Sequence, residues 1–225
     1  MAAYQVGFAQ SFTSDQGWQC EHYSTGNQLI IVGFAANRDW PGEGSLLEIP
    51  SAVYDNGTFS TYTVTQLGNS SNPIFPNPNY PSSLPWQLQT PSCIQTISSY
   101  SFSSQDNLTQ VVIDGSPTIE SYAFYNDPNL QNVPTISGDI GESAFEGCTK
   151  LRNVGLKDGV IKIGKRAFAN CKNLKSLTIP RTVVSIAPDA FVGSGLKTVT
   201  LLRGQFAKYP NLPKGAFVRV QELSQ

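Results

Sequence analysis

The sequence predicts a repeat solenoid: a parallel β ladder of about six coils with irregular or short helical returns, capped at both ends. Two landmarks and one pattern predict it. Phe recurs at Phe102, Phe124, Phe145, Phe168 and Phe191, in steps of 22, 21, 23 and 23 residues. Leu follows at Leu108, Leu130, Leu151, Leu174 and Leu196, in steps of 22, 21, 23 and 22. Each unit then carries apolar residues that one coil cannot bury alone, so the coils must stack.

The spacing within a unit follows from its chemistry. Leu174 to Ile179 reads L-x-x-L-x-I, a turn entering a short strand whose alternate residues, Leu177 and Ile179, face inward. Pro180 ends that strand because it cannot donate to the ladder. Val183 and Ile186 return the chain to the core, Ala167 is small enough for close passage, and Phe168 fills the interior. The run in 163–180 (Ile-Gly, Ala-Phe, a Cys three residues after the Phe, Leu, and an Ile-Pro strand end) closely resembles the BspA-like (Treponema-type) leucine-rich repeat. Related copies begin at Ile97, Ile119, Ile140 and Ile186. Departures fall at the edges of the array: Ser101 replaces the Ala, and Gln105, Asp127 and Ser194 replace the Cys.

In chain order, residues 1–45 show no repeat and hold Trp18 and Trp40, so they read as an N-terminal cap. Residues 46–68 resemble the family's opening repeat, in which a hairpin interrupts the first coil. Asp55-Asn56-Gly57 supplies its turn and Thr61–Gln66 its second strand. A Pro-rich insertion occupies 69–96, with Pro at 73, 76, 78, 81, 85 and 91 and the aromatics Phe75, Tyr80 and Trp86. Proline forbids regular pairing, so this reads as an extended loop packed on one flank, whose aromatics either order it or contact a ligand. Five leucine-rich repeats of 21–23 residues fill 97–201, and 202–225, with the echo Gly215-Ala216-Phe217, read as a degenerate last coil capping the other end. All of this forms one structural domain.

Composition excludes several functions. Of the 225 residues 40% are hydrophobic and only 14% charged, against roughly 25% charged in an average domain; 24 Ser, 16 Thr and 15 Asn fill the difference. The longest apolar stretch, Leu29–Ala36, is far short of the ~20 residues of a membrane span. The first residues lack a basic and an apolar segment, which fits either a chain kept in a cytoplasm or a mature form whose leader has been replaced. With His22 as the single histidine, a His-based triad or His-rich metal site has one imidazole to use. The four Cys lack C-x-x-C spacing, and Cys20-x-His22 offers only two ligands. No cofactor or metal is expected. Cys148 and Cys171 share one slot in adjacent coils and read as buried thiols; Cys20 and Cys93 pair only if cap and insertion touch.

The net charge of −1 hides a segregation. Residues 1–149 carry 13 acids and one base, net −12, while 150–225 carry 14 bases and three acids, net +11. Such asymmetry concerns partners or assembly.

The solvent side of the ladder should present Gln110 and Val112, Asn132 and Pro134, Asn153 and Gly155, Ser176 and Thr178, Thr198 and Thr200. It is small and neutral, with no recurring carboxylate pair for glycosidase-type chemistry and no clustered aromatics, so no enzyme is expected. Arg152, Lys175 and Lys197 directly follow the landmark Leu in three successive coils and form a positive column, with Lys150 and Lys172 nearby. The candidate interaction residues are these five, the ladder-face residues Asn153, Ser176, Thr178, Thr198 and Thr200, and the loop residues Phe75, Tyr80 and Trp86. Nucleic acid is disfavoured by the 13 acids in 1–149. Sequons at Asn56, Asn69 and Asn107 matter only for a chain secreted by a eukaryote.

The family resemblance implies an exported, non-enzymatic adhesion or protein-interaction module at a cell surface, binding a protein or other surface ligand, acidic or glycan. Two alternatives stand beside it. The acidic and basic halves suit head-to-tail self-association, as in a virion or particle surface component assembled after cytoplasmic synthesis. The polar face and loop aromatics suit a carbohydrate-binding module.

Overall fold

A computed structural model describes residues 10–14, 18–22, 28–34, 45–69, 74, 85–202 and 217–221. The chain opens with β1 (Gln10–Thr13), β2 (Trp18–His22) and β3 (Gln28–Phe34), an antiparallel meander. β4 (Ser45–Glu48) leads into a hairpin, β5 (Ala52–Asp55) and β6 (Ser60–Leu67). Longer and two-residue strands then alternate: β7 (Trp86–Thr90), β8 (Thr96–Ile97), β9 (Leu108–Ile113), β10 (Thr118–Ile119) and β11 (Asn132–Ile136). The series ends with β12 (Asn153–Leu156), β13 (Lys162–Ile163), β14 (Ser176–Ile179), β15 (Ser185–Ile186), β16 (Thr198–Leu202) and β17 (Phe217–Gln221).

Three columns of hydrogen bonds join the coils. The first is the long-strand ladder, β4-β7-β9-β11-β12 and then β14-β16-β17, parallel throughout. The second runs through β3, β6, β8 and β10, over single bridges at Ile140, to β13 and β15. The third lies in the turns: the amides of Phe102, Phe124, Phe145 and Phe168 donate to the carbonyls of Ala123, Ala144, Ala167 and Ala190 in the next coil at 2.8–2.9 Å. That close passage explains the Ala before Phe124, Phe145, Phe168 and Phe191, since a larger side chain has no room where all four alanines are fully buried.

Of the two expected forms, irregular and short helical, the returns take the irregular one, with no helix among the described residues. The reason is local. Tyr122 and Asn126, Ser143 and Gly147, and Arg166 and Asn170 take positive φ four residues apart, and a left-handed residue ends a right-handed helix before it completes a turn.

Inside the coils the five landmark Phe rings stack along the axis, with centroids 5.2–5.8 Å apart and planes within 7°. The landmark Leu side chains and Leu177, Ile179, Val183 and Ile186 are buried around them. The first-coil hairpin has the expected turn, with Asp55 Oδ1 accepting from the Gly57 amide at 2.9 Å and Oδ2 from the Thr58 hydroxyl at 2.8 Å. β17 adds a further rung, but the Ala216-Phe217 echo is out of phase. Phe217 stands opposite Thr198 in the ladder, not opposite Phe191.

Candidate functional site

The outward positions of the long-strand ladder form one polar face. Ser176 pairs with Thr198 and Thr178 with Thr200 in register. Each of these four is exposed or half-buried, while the intervening Leu177, Ile179, Val199 and Leu201 are buried. Asn132 and Asn153 also pair in register, and the Asn153 Nδ2 donates to Asn132 Oδ1 at 2.6 Å.

Along one edge of this face run the cations. The Lys197 amide donates to the Lys175 carbonyl at 2.9 Å and the Arg152 amide to the Gln131 carbonyl at 3.0 Å, which places Arg152, Lys175 and Lys197 at equivalent positions. The same column reads Thr109 and Gln131 in the two preceding coils, so it passes from neutral to cationic along the axis. All five of Lys150, Arg152, Lys172, Lys175 and Lys197 are exposed. Arg152 Nη2 donates to Gln131 Oε1 at 2.5 Å and Lys150 Nζ to Asn129 Oδ1 at 2.6 Å. These neutral amides hold the head groups without cancelling their charge. The segments 149–156, 172–179 and 194–202 contain no Asp or Glu.

The ladder is interrupted within this region: no strand pairing joins β12 to β14. Pro134 lacks an amide hydrogen, and the β11–β12 register shifts between Val133 and Ile136. The Pro134 carbonyl then lies only 1.9 Å from where a Cβ would stand on Gly155, so only glycine fits opposite it. The seam is a cleft of about 270 Å³ lined by Pro134, Arg152, Asn153, Val154, Gly155 and Ser176. On the other two sides the same coils stay joined, by the Ile140–Ile163 bridge and by the Phe145 amide to the Ala167 carbonyl. Sequence reasoning missed this seam; Pro134 and Gly155, at the register shift beside it, were the one available sign.

Away from this face, Arg166 grips Glu146 through two nitrogens, Nε to Oε2 at 3.0 Å and Nη2 to Oε1 at 2.5 Å. The bonded guanidinium holds the Glu146 carboxyl below its usual range despite partial burial. Lys165 approaches Glu142 at 4.0 Å. Lys165 and Arg166 thus meet acids, whereas Lys150, Arg152, Lys172, Lys175 and Lys197 form no ion pair among the described residues.

One expected contact residue is corrected. Trp86 opens β7 and is fully buried, so the insertion does not present it to a ligand. The ring is drawn in because its strand position is an inward one, and no loop remains there to expose it. Phe75 and Tyr80 lie outside the described residues. The insertion is anchored at Ile74, which is buried and whose amide donates to the Ser101 carbonyl at 2.7 Å. All four cysteines are free thiols. Cys148 and Cys171 donate to the Phe124 and Phe145 carbonyls at 3.1 Å, and burial pushes the Cys171 thiol up to about 12. Among the described residues no group of three or more metal-ligating side chains gathers, and no helix is long and apolar enough to cross a membrane.

Solved structures share this architecture. A pneumococcal vaccine antigen, PcpA, superposes with a TM-score of 0.70 at 20% identity, over 88% of this chain and 51% of its own. A leucine-rich cell surface protein of Faecalibacterium prausnitzii gives 0.62 at 22% identity, over 85% and 54%. A leucine-rich repeat protein of Treponema pallidum gives 0.50 at 18% identity, over 94% and 82%. The chain thus spans about half the length of the first two. No curated protein matches the sequence significantly. The family model described as the BspA type leucine rich repeat region matches in six copies over residues 80–138 and 138–224. By that match, over more than half its length, the chain belongs to the BspA-type leucine-rich repeat family.

Proposed function

We propose that the chain is a non-enzymatic adhesion or protein-interaction module at an extracellular or cell surface, binding through its long-strand ladder. One observation carries this reading: the exposed face is an in-register array of neutral hydrogen-bonding side chains bordered by cations that meet no acid partner among the described residues. Such a surface offers contacts and no acid–base pair for chemistry. The description of the Faecalibacterium prausnitzii structure as a cell surface protein supports the location.

The test is saturable binding of the labelled full chain to cell layers. Replacing Thr178 and Thr200 together by Trp fills the face without touching the core and is expected to reduce binding at least tenfold. Unchanged binding by the folded double variant would overturn the reading. The −12 and +11 split favours a second one, head-to-tail assembly of copies.

A further inference from the structure

The cationic edge and the seam coincide. Arg152 lines the cleft and Lys175 precedes Ser176, which lines it from the other side. Lys197 follows one rung on from Lys175, a step of about 4.8 Å. Arg152 has five N–H donors, and its bond to Gln131 leaves others to reach the cleft. Hydroxyls of Ser176, Thr178, Thr198 and Thr200 stand beside the cations, and no large apolar side chain among the described ones is exposed on these three strands.

That last point separates two classes of polyanion. Protein interfaces are anchored by aromatic and aliphatic side chains in a dry centre. This edge has none. It offers charge and hydroxyl hydrogen bonds alone, which is the complement of a polymer carrying many anionic oxygens and hydroxyl groups.

We propose that the edge formed by Arg152, Lys175 and Lys197 binds a sulfated polysaccharide, with one sulfate in the cleft beside Arg152 and the polymer running across the two lysines. The proposal rests on the ladder-face reading above and gives it a ligand class. Binding through solvent-exposed charge weakens as salt shortens the Debye length, about 8 Å at 0.15 M.

The probes are immobilised heparin, hyaluronan and poly-aspartate, each with the full chain at 0.15 M salt. Heparin should bind at least tenfold more tightly than hyaluronan, which carries carboxylates and no sulfate. The triple variant Arg152→Gln, Lys175→Gln, Lys197→Gln should lose at least tenfold. Lys157→Gln, Lys162→Gln, Lys165→Gln removes the same charge elsewhere and should lose less than threefold. Ser176→Glu, at an exposed position, should also lose at least tenfold by setting a carboxylate in the cleft. Circular dichroism confirms that each variant is folded.

Equal losses in the two triples, no retention on heparin, or equal binding of poly-aspartate would each overturn the proposal, the last in favour of an acidic protein. Should heparin fail while the Thr178 and Thr200 double variant still abolishes cell binding, the ligand class falls and the ladder-face reading stands. Should that double variant bind cells normally, the ladder-face reading falls on its own.

Discussion

Asp127 sits in the slot that holds Cys148 and Cys171 in the next two coils, and it is fully buried. Its Oδ1 accepts from the Gln105 amide at 2.7 Å, while Oδ2 meets no hydrogen-bond partner. Burial pushes the carboxyl well above its ordinary range, against the lowering effect of the Gln105 bond, and the nearby Asp106 charge adds to the rise. The folded state therefore holds this proton more tightly than the unfolded chain does. The stability this group contributes is present below the ordinary carboxylate pKa of about 3.9 and is lost as pH rises toward the folded value. Asp127→Asn keeps the acceptor and removes the titration. It should be more stable than the parent at pH 8, and the gap should close toward pH 4, as read by urea unfolding. A gap that does not change with pH would contradict a buried titrating carboxyl. Asp127 was legible as a departure from the Cys slot, but its missing partner depends on how the coils stack around it.

At the scale of the element, the stack of five Phe rings is the axis of the repeat. Phe145 has a ring on both sides, Phe124 at 5.2 Å and Phe168 at 5.4 Å, whereas Phe191 stacks only on Phe168, at 5.8 Å, among the described residues. Truncating a buried Phe costs about 3–5 kcal/mol. Phe145→Ala should fall at the upper end of that range and Phe191→Ala at or below the lower, by denaturant midpoints at unchanged m-value. Similar costs for both would mean that the stack adds nothing beyond burial. These landmarks could be read because every coil presents the same interior to them. The form of the returns was left open between irregular and short helical because spacing alone does not distinguish a helical turn from two left-handed residues. Asn126, Gly147, Asn170 and Gly193, all at positive φ, were the available sign.

For the whole molecule, coil order follows chain order, so the charge split in the sequence becomes a separation along the solenoid axis. At about 0.01 M ionic strength the Debye length is about 30 Å, and opposite ends of two copies attract across solvent. Light scattering should show concentration-dependent association there and monomers at about 1 M, where the length is about 3 Å. A monomer under both conditions would remove the assembly reading. The charge asymmetry was fully legible, since it needs only counting. The seam was not, because it depends on how β12 and β14 come to lie beside each other, which neither strand's own residues state.

The seam also gives the molecule a mechanical bias. Two sides of the solenoid are cross-linked between coils at every step, and the third is not joined between β12 and β14. A rod fastened on two sides and slit on the third yields by flexing, not by stretching, and its slit gapes on the convex side. Tension on a tethered copy would bend it there first, widening the mouth between Arg152 and Ser176 and leaving the Ile140–Ile163 and Phe145–Ala167 joints as the hinge.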